Sequence, residues 1–417
     1  MKKVLILSYF FPPCNLTASY RIAGWENHLP ENGIYPIIIT RNWEGTELTQ
    51  EDRMKCSGKE VKIIKKETSE IHYLPYKSTF RDYCFIHSSK NIFFKYLSKI
   101  LTLINLFLQP INVRSIPYAN LYFHSRVYLK NNPDVKTVLI SGNPFEQFYF
   151  GFLLKKEFPS INWIADYRDD WTTSEVTKVP FRKFQQYFEK KWVSTASFIT
   201  TISPYYQKKI TELVQVPGHT IYNGFSELIE KKEKSNNDEF VITYNGTLYE
   251  TQEIEIFLDG YKLFLDTKPN VNVKLKFPGI LIDKIQAKRV ANYLQGYEVF
   301  YEMTDRLPKE QVLEIQQNSD LLLMVAHKNI KGVTSSKIFE YLSLQKPFVV
   351  CPNDHDVLEE IATKSGLGVM LDSQNQVIEY LNKVIQDYYS EPDQEKLNQF
   401  GIKRQVERLV KVFSKLK

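Results

Sequence analysis

Residues 321–350 read LLLMVAHKNIKGVTSSKIFEYLSLQKPFVV. The first five are apolar without alternation, the pattern of a strand buried on both faces. A loop carrying Gly332, Thr334, Ser335 and Ser336 follows, a helix opens around Lys337, and a second strand starts at Pro347. A strand, a crossover helix and a second strand make a parallel pair. The same alternation continues outward. Strands are predicted at 240–244 and 273–277, with helices at 253–265, 309–317, 336–344 and 357–364. Toward the N-terminus, strands at 4–7, 36–40, 138–141, 163–165 and 198–202 alternate with helices at 17–31, 145–157, 181–195 and 204–213. The chain of 417 residues therefore reads as two Rossmann-like, doubly wound α/β domains.

Between the two series lies KKEKSNND flanked by Glu230 and Glu239, ten positions with no apolar residue. It suits a solvated helix face or a linker, and its placement favours the linker. The expected domains are 1–229 and 240–390, joined by 230–239. The final segment, 391–417, holds a helical pattern with no strand after it, and is expected to pack back on the first domain. Ligands of open α/β sheets bind beyond the carboxyl ends of the strands. The expected site is thus a central cleft between the domains, lined by residues that follow strands.

Apolar residues make up 43% and charged residues 24%, the balance of a chain with an ample core rather than a disordered or fibrous one. Fifty-four Lys and Arg against 48 Asp and Glu leave a net charge of +6, too dilute to argue for nucleic acid. Cys14, Cys56, Cys84 and Cys351 form no short metal-ligand pair, which disfavours a zinc site and suits a reducing compartment. MKKVLILSYFFPP has a short apolar run that breaks at Pro12-Pro13 without a cleavage site, and reads as a first buried strand rather than a leader. A cytoplasmic protein is the expectation.

Several residues after strands carry candidate chemistry. A hydroxyl-rich loop entering a helix offers free N–H groups and the positive end of the helix dipole. Lys337 in the first turn adds a full charge, and Glu340 lies on nearly the same helix face, where it can accept from a diol such as a ribose. Thr334, Ser335, Ser336, Lys337 and Glu340 are thus either an anion site or a capped helix with an exposed ion pair. After the strand at 240–244, Gly246 and Thr247 form a tight turn or a backbone approach to a phosphate. That stretch holds no cation, so Lys337 and Arg306 would supply the charge. In the first domain Asp166-Tyr-Arg168-Asp169-Asp-Trp171 follows a strand. Arg168 can donate bidentately, Asp169 can accept from hydroxyls and Trp171 can stack on a sugar, unless the group is an internal Arg–Asp network. Ser141, Asn143 and Glu146 are further acceptor-side candidates, and Arg21 opens into the cleft only if its helix starts near Thr17. Asp354-His-Asp356 after a strand fits a helix cap better than a metal site.

The segment GVTSSKIFEYLSLQKPFVV resembles the donor-binding stretch of retaining family-four glycosyltransferases of the GT-B type, in their bacterial surface-polysaccharide branch. SYFFPP, SYRIAGW, LISGNPFEQ, WIADYRDDW, ITTISPYYQKKI, IYNGF, ITYNGTLYETQ and GLGV agree with that family in order, over nearly the whole chain. The resemblance implies a GT-B fold with a nucleotide-sugar donor, uridine-linked by expectation, on the second domain and a saccharide or lipid-linked saccharide acceptor on the first. It implies retention by front-face attack, with no metal or other cofactor. Glu340 corresponds to the second Glu of the family's paired-glutamate motif and is implied to hold the ribose. The first Glu of that motif falls eight residues earlier, where this chain has Gly332. Two other readings stay open: a sugar-nucleotide epimerase of the same build, and a catalytically silent subunit of a polysaccharide machine.

Residues 91–110, NIFFKYLSKILTLINLFLQP, place Lys95, Lys99, Thr102, Asn105 and Gln109 on one polar stripe of an otherwise apolar helix. Such a helix is either buried in the first domain or lies in an anionic membrane interface on the inner face of the cell membrane, flanked by Arg81, Lys90 and Arg114.

Overall fold

The computed structural model describes residues 1–44, 49, 51–230, 239–386 and 392–416. They form two compact units, Met1–Asn223 with Ile402–Lys417, and Gly224–Gly401. The sequence reading puts these divisions at 229 and 391; most of its linker, 231–238, lies outside the described residues.

The first unit holds strands β1 (Lys2–Ser8), β2 (Ile34–Arg41), β3 (Lys62–Lys65), β4 (Glu70–Leu74), β5 (Thr137–Ser141), β6 (Asn162–Tyr167), β7 (Phe198–Thr201) and β8 (Gly218–Thr220). Its helices are α1 (Thr17–His28), α2 (Phe80–Ile86), α3 (Ile92–Leu108), α4 (Asn120–Asn131), α5 (Gln147–Glu157), α6 (Arg182–Val193) and α7 (Pro204–Val214). The second unit holds β9 (Phe240–Thr243), β10 (Val273–Phe277), β11 (Tyr301–Met303), β12 (Leu321–Met324), β13 (Phe348–Val350) and β14 (Gly368–Met370). Its helices are α8 (Glu255–Thr267), α9 (Lys284–Tyr293), α10 (Lys309–Gln317), α11 (Ser336–Ser343), α12 (Val357–Ser365), α13 (Gln374–Val384) and α14 (Gln394–Asn398); α15 (Ile402–Ser414) returns to the first unit.

The first sheet runs β3-β4-β2-β1-β5-β6-β7-β8, parallel except for β3. The second runs β11-β10-β9-β12-β13-β14 and is parallel throughout. The central strands bury both faces, as their unbroken apolar runs require. On one side of the first sheet Leu5, Leu7, Val138 and Ile140 pack with Phe148, Phe150 and Trp192. On the other, Val4, Ile6, Leu139 and Ile164 pack with Trp25 and with Ile402, Val406, Leu409, Val412 and Phe413 of α15. Those five α15 side chains together contribute on the order of 10 kcal/mol of gross burial.

The closing pattern at 393–416 is two helices, not one. Between them the Phe225 N–H donates to the Phe400 carbonyl at 3.3 Å, and Gly401 pairs with Phe225 as a bridge, so the chain leaves helical geometry there. A β-carbon on Gly24 would stand 2.7 Å from Ile402 Cγ1, so only glycine lets α1 and α15 pack this closely. Core burial does not describe α3. Of its 17 residues only Ser98 is fully buried. No helix among the described residues is long and apolar enough to cross a membrane.

Candidate functional site

In the second unit the chain builds β10 and β11 on one side of β9, then returns to lay β12 on the other. β9 and β12 are hydrogen-bonded neighbours, and a ligand crevice forms beyond the ends of strands at such a reversal. Tyr244, one residue past β9, is fully buried, and its hydroxyl donates to the Thr247 carbonyl at 2.9 Å, closing the Asn245–Gly246 turn. Gln252 ties this loop to the end of β12: its Nε2 donates to the Val325 carbonyl at 2.6 Å, while its Oε1 accepts from the Tyr249 N–H at 3.0 Å.

Helix α11 opens beside that loop. Ser335 is its N-cap, with Oγ accepting from the Lys337 N–H at 3.4 Å; Thr334 is buried, Ser335 half-buried and Ser336 exposed. The half-buried Lys337 side chain runs over Tyr244, its Nζ 4.7 Å from the ring centroid. A β-carbon on Gly246 would lie 2.9 Å from Lys337 Cε and 3.1 Å from Nζ, and Gly246 has φ +91°. The positive φ strains any side chain at 246, and a β-carbon there would have to push the end of Lys337 aside. Burial lowers the amine to about 8, against an opposing effect of Glu340. Burial raises the half-buried Glu340 carboxyl, while Lys309, Gln316 and Lys337 act to lower it. His327 accompanies them: burial, then the charge of Lys337, lower its pKa, and its Nδ1 pairs with the Thr251 hydroxyl at 2.7 Å. A cation at a helix start opposes both its own desolvation and the positive end of the helix dipole, and a bound anion would offset both.

Thr247 is exposed at the rim of the turn. Arg306 is also exposed, in the loop between β11 and α10, three residues before Lys309. The Gly332 N–H donates to Asp356 Oδ2 at 2.5 Å. Asp354 accepts N–H bonds from Asp356, Leu358 and Glu359 at 3.0, 2.8 and 3.0 Å, so it works as the cap of α12. Among the described residues no group of three His, Cys, Asp or Glu is set to hold a metal ion.

The first sheet reverses between β1 and β5. Beyond β5, Asn143 has φ +63° and donates from Nδ2 to Asp169 Oδ2 at 3.0 Å. Arg168 donates to the same oxygen from Nη2 at 2.5 Å and from Nε at 3.2 Å. The Asp169 side chain stays 47% exposed, enough to meet a ligand. Glu146 is half-buried and accepts from the Tyr118 hydroxyl at 2.9 Å.

Three expectations for this unit need correction. Asp166 is fully buried, with Oδ1 accepting from Arg21 Nη2 and Thr200 Oγ1, both at 2.8 Å, and Oδ2 from Arg21 Nε at 3.2 Å and Ser141 Oγ at 2.9 Å. Its lone pairs are spent on strand neighbours and α1, so it braces the loop and is not presented to a sugar. Helix α1 does start at Thr17, yet Arg21 is buried and also donates to the Ile221 and Tyr222 carbonyls at 2.8 and 3.1 Å. Trp171 is no free platform: its ring stacks between Phe145 and Trp192, at 5.2 and 5.9 Å, and its Nε1 donates to Gln185 at 2.9 Å.

Sequence reasoning missed Tyr244, Gln252 and His327. Each acts through a partner distant in sequence, and nothing local marks them.

No protein-family model matches the chain, and none of the curated proteins searched matches it. Solved structures do. A sucrose-phosphate synthase from Thermosynechococcus elongatus matches with a TM-score of 0.63 at 11% identity, over 100% of this chain and 99% of that one. A trehalose-6-phosphate synthase matches with a TM-score of 0.62 at 12% identity, over 100% and 99%. A Listeria monocytogenes protein assigned as a UDP-N-acetylglucosamine 2-epimerase matches with a TM-score of 0.54 at 11% identity, over 99% and 95%. The chain has the two-domain α/β fold these proteins share, the GT-B fold.

Proposed function

We propose that this protein is a glycosyltransferase that moves a sugar from a nucleotide-activated donor, uridine-linked, to a saccharide or lipid-linked saccharide, with retention of anomeric configuration, in surface-polysaccharide synthesis. The observation that carries the reading is the meeting of Gly246 and Lys337 at the strand reversal of the second unit. In this reading the donor diphosphate lies along the Gly246–Thr247 turn and the start of α11. Lys337 and the N–H groups beside Thr334, Ser335 and Ser336 meet the charge that grows on the leaving phosphate, Arg306 adds to the field, and Glu340 accepts from the ribose. A protonated amine is worth most where water is excluded, and Lys337 is half-buried.

The acceptor is taken by the first unit. Asp169, aligned by Asn143 and Arg168, orients the acceptor hydroxyl, and Glu146 contributes at the edge. The acceptor oxygen forms its bond to the anomeric carbon on the face that the phosphate oxygen leaves, and that oxygen takes the hydroxyl proton. No metal and no separate protein base is needed. The enzyme works in the cytoplasm, at the inner face of the cell membrane.

The test is a panel of sugar nucleotides incubated with the protein, with and without saccharide acceptors. Release of nucleoside diphosphate that depends on Lys337 supports the transferase. An isomerised sugar nucleotide with no diphosphate released replaces it with the epimerase, and absence of any nucleotide binding replaces it with the silent subunit.

A further inference from the structure

Helix α3 is inside out. Its polar and small residues Ser98, Asn105 and Gln109 turn toward the protein, and Thr102 accepts from Arg81 Nε at 3.0 Å. Ile92, Phe93, Tyr96, Ile100, Leu103 and Ile104 face solvent with 43–69% of their surface exposed. At 100° per residue these six share one face, with Lys95 and Lys99 along its border. Phe80 and Tyr83 of α2 extend the apolar surface, at 61% and 48% exposure. A soluble surface rarely shows this much contiguous apolar area without a partner.

The charge on the same segment says which partner. Residues 77–114 carry Lys77, Arg81, Lys90, Lys95, Lys99 and Arg114 against one acidic residue, Asp82. Asp82 is buried and occupied in capping α2 at Thr79. The segment therefore holds most of the chain's net charge of +6. Pairing of this face with a second copy would set these cations against themselves across a two-fold axis, with no exposed carboxylate in the segment to answer them. We infer that α2 and α3 form a monotopic anchor: α3 lies in the plane of an anionic bilayer, with Phe93, Ile100 and Ile104 among the acyl chains and Lys95, Lys99, Lys90 and Arg114 at the lipid phosphates. At 17 residues, α3 is about 25 Å long and rests along the interface. This deepens the membrane-face reading above, and it is independent of glycosyl transfer, so vesicle binding and turnover can fail separately.

The experiment is flotation of the full chain with vesicles of phosphatidylcholine alone, or mixed with phosphatidylglycerol. Wild type should float with the anionic vesicles and stay behind with the neutral ones. Phe93→Ser/Ile100→Ser/Ile104→Ser should remain soluble with an unchanged melting temperature. Lys95→Glu/Lys99→Glu, at exposed positions that do not test folding, should lower partitioning roughly 25-fold or more. Equal flotation of wild type and both variants overturns the anchor. So does a wild-type dimer that the triple variant dissociates while wild type ignores anionic vesicles, which would mean a second copy covers α3.

Discussion

Lys337 Cε lies 2.9 Å from the point that a β-carbon on Gly246 would occupy, so a loop after β9 and a helix after β12 share one space. Gly246→Ala must push the amine aside and also adopt φ +91° with a β-carbon, at a cost of about 1–2 kcal/mol. Thermal unfolding should show that modest loss, while donor turnover falls far more than the fraction unfolded explains. Lys337→Ala should leave the melting temperature within a few degrees and reduce kcat/KM about 100- to 1,000-fold. Wild-type kcat/KM in Lys337→Ala would remove the phosphate role.

The amine of Lys337 titrates near 8 in the fold, below the ordinary lysine value of 10.5, because burial disfavours its charged form. Below pH 8 both folded and unfolded chains hold the proton, and the cost of burying the charge is fully present. Between about 8 and 10.5 the unfolded chain binds more protons, so this residue makes stability rise with pH across that window. Activity should move the other way, falling as pH rises through 8, with no such limb in Lys337→Ala. A bound diphosphate opposes deprotonation, so uridine diphosphate binding near pH 8 should take up protons. Calorimetry in buffers of different ionisation enthalpy measures that uptake; zero uptake would disconnect the amine from the anion.

Glu340 stands three residues along α11, on the same side as Lys337, with its carboxyl raised by burial. A hydrogen bond from a ribose hydroxyl to a carboxylate is worth about 1.5–3 kcal/mol. Glu340→Ala should therefore weaken uridine diphosphate binding about 10- to 100-fold, and the loss should shrink for the 2′,3′-dideoxy analogue. An equal loss for both nucleotides would mean that Glu340 works by supporting α11.

Much of this was legible because central parallel strands are buried on both faces. The runs in β1, β2, β5, β6 and β12 stand out as unbroken apolar stretches. The edges do not: β8 is GHT, β11 is YEM and β14 is GVM, too short and too half-covered to leave a pattern. Periodicity found the polar stripe of α3 but not its direction, which Arg81 fixes by donating to Thr102 from another helix. The helix start at Lys337 was readable from its hydroxyls, while Tyr244 under the amine and Gln252 behind it were not, since their partners are set by the fold. Asp166 read as a ligand because its saturation comes from Arg21, 145 residues away.

That saturation separates Asp166 from Asp169. Arg21 and Asp166 are both buried, with Nη2 to Oδ1 at 2.8 Å, and removing one partner strands the other charge in the core. Such a break costs about 3–5 kcal/mol. Asp166→Ala should lower the melting temperature steeply, and molecules that remain folded should retain an intact second-unit site, read as unchanged uridine diphosphate affinity. Asp169 is half-exposed, and Asp169→Asn keeps a side-chain oxygen to accept from Asn143 and Arg168, so stability should fall by no more than about 1 kcal/mol. Its effect should fall on turnover with acceptor, lowering kcat while donor binding holds. Denaturation curves alongside initial rates for the two variants distinguish a brace from a group that meets substrate. If Asp169→Asn proved as destabilised as Asp166→Ala and turned over normally per folded molecule, the acceptor role assigned to Asp169 would fall.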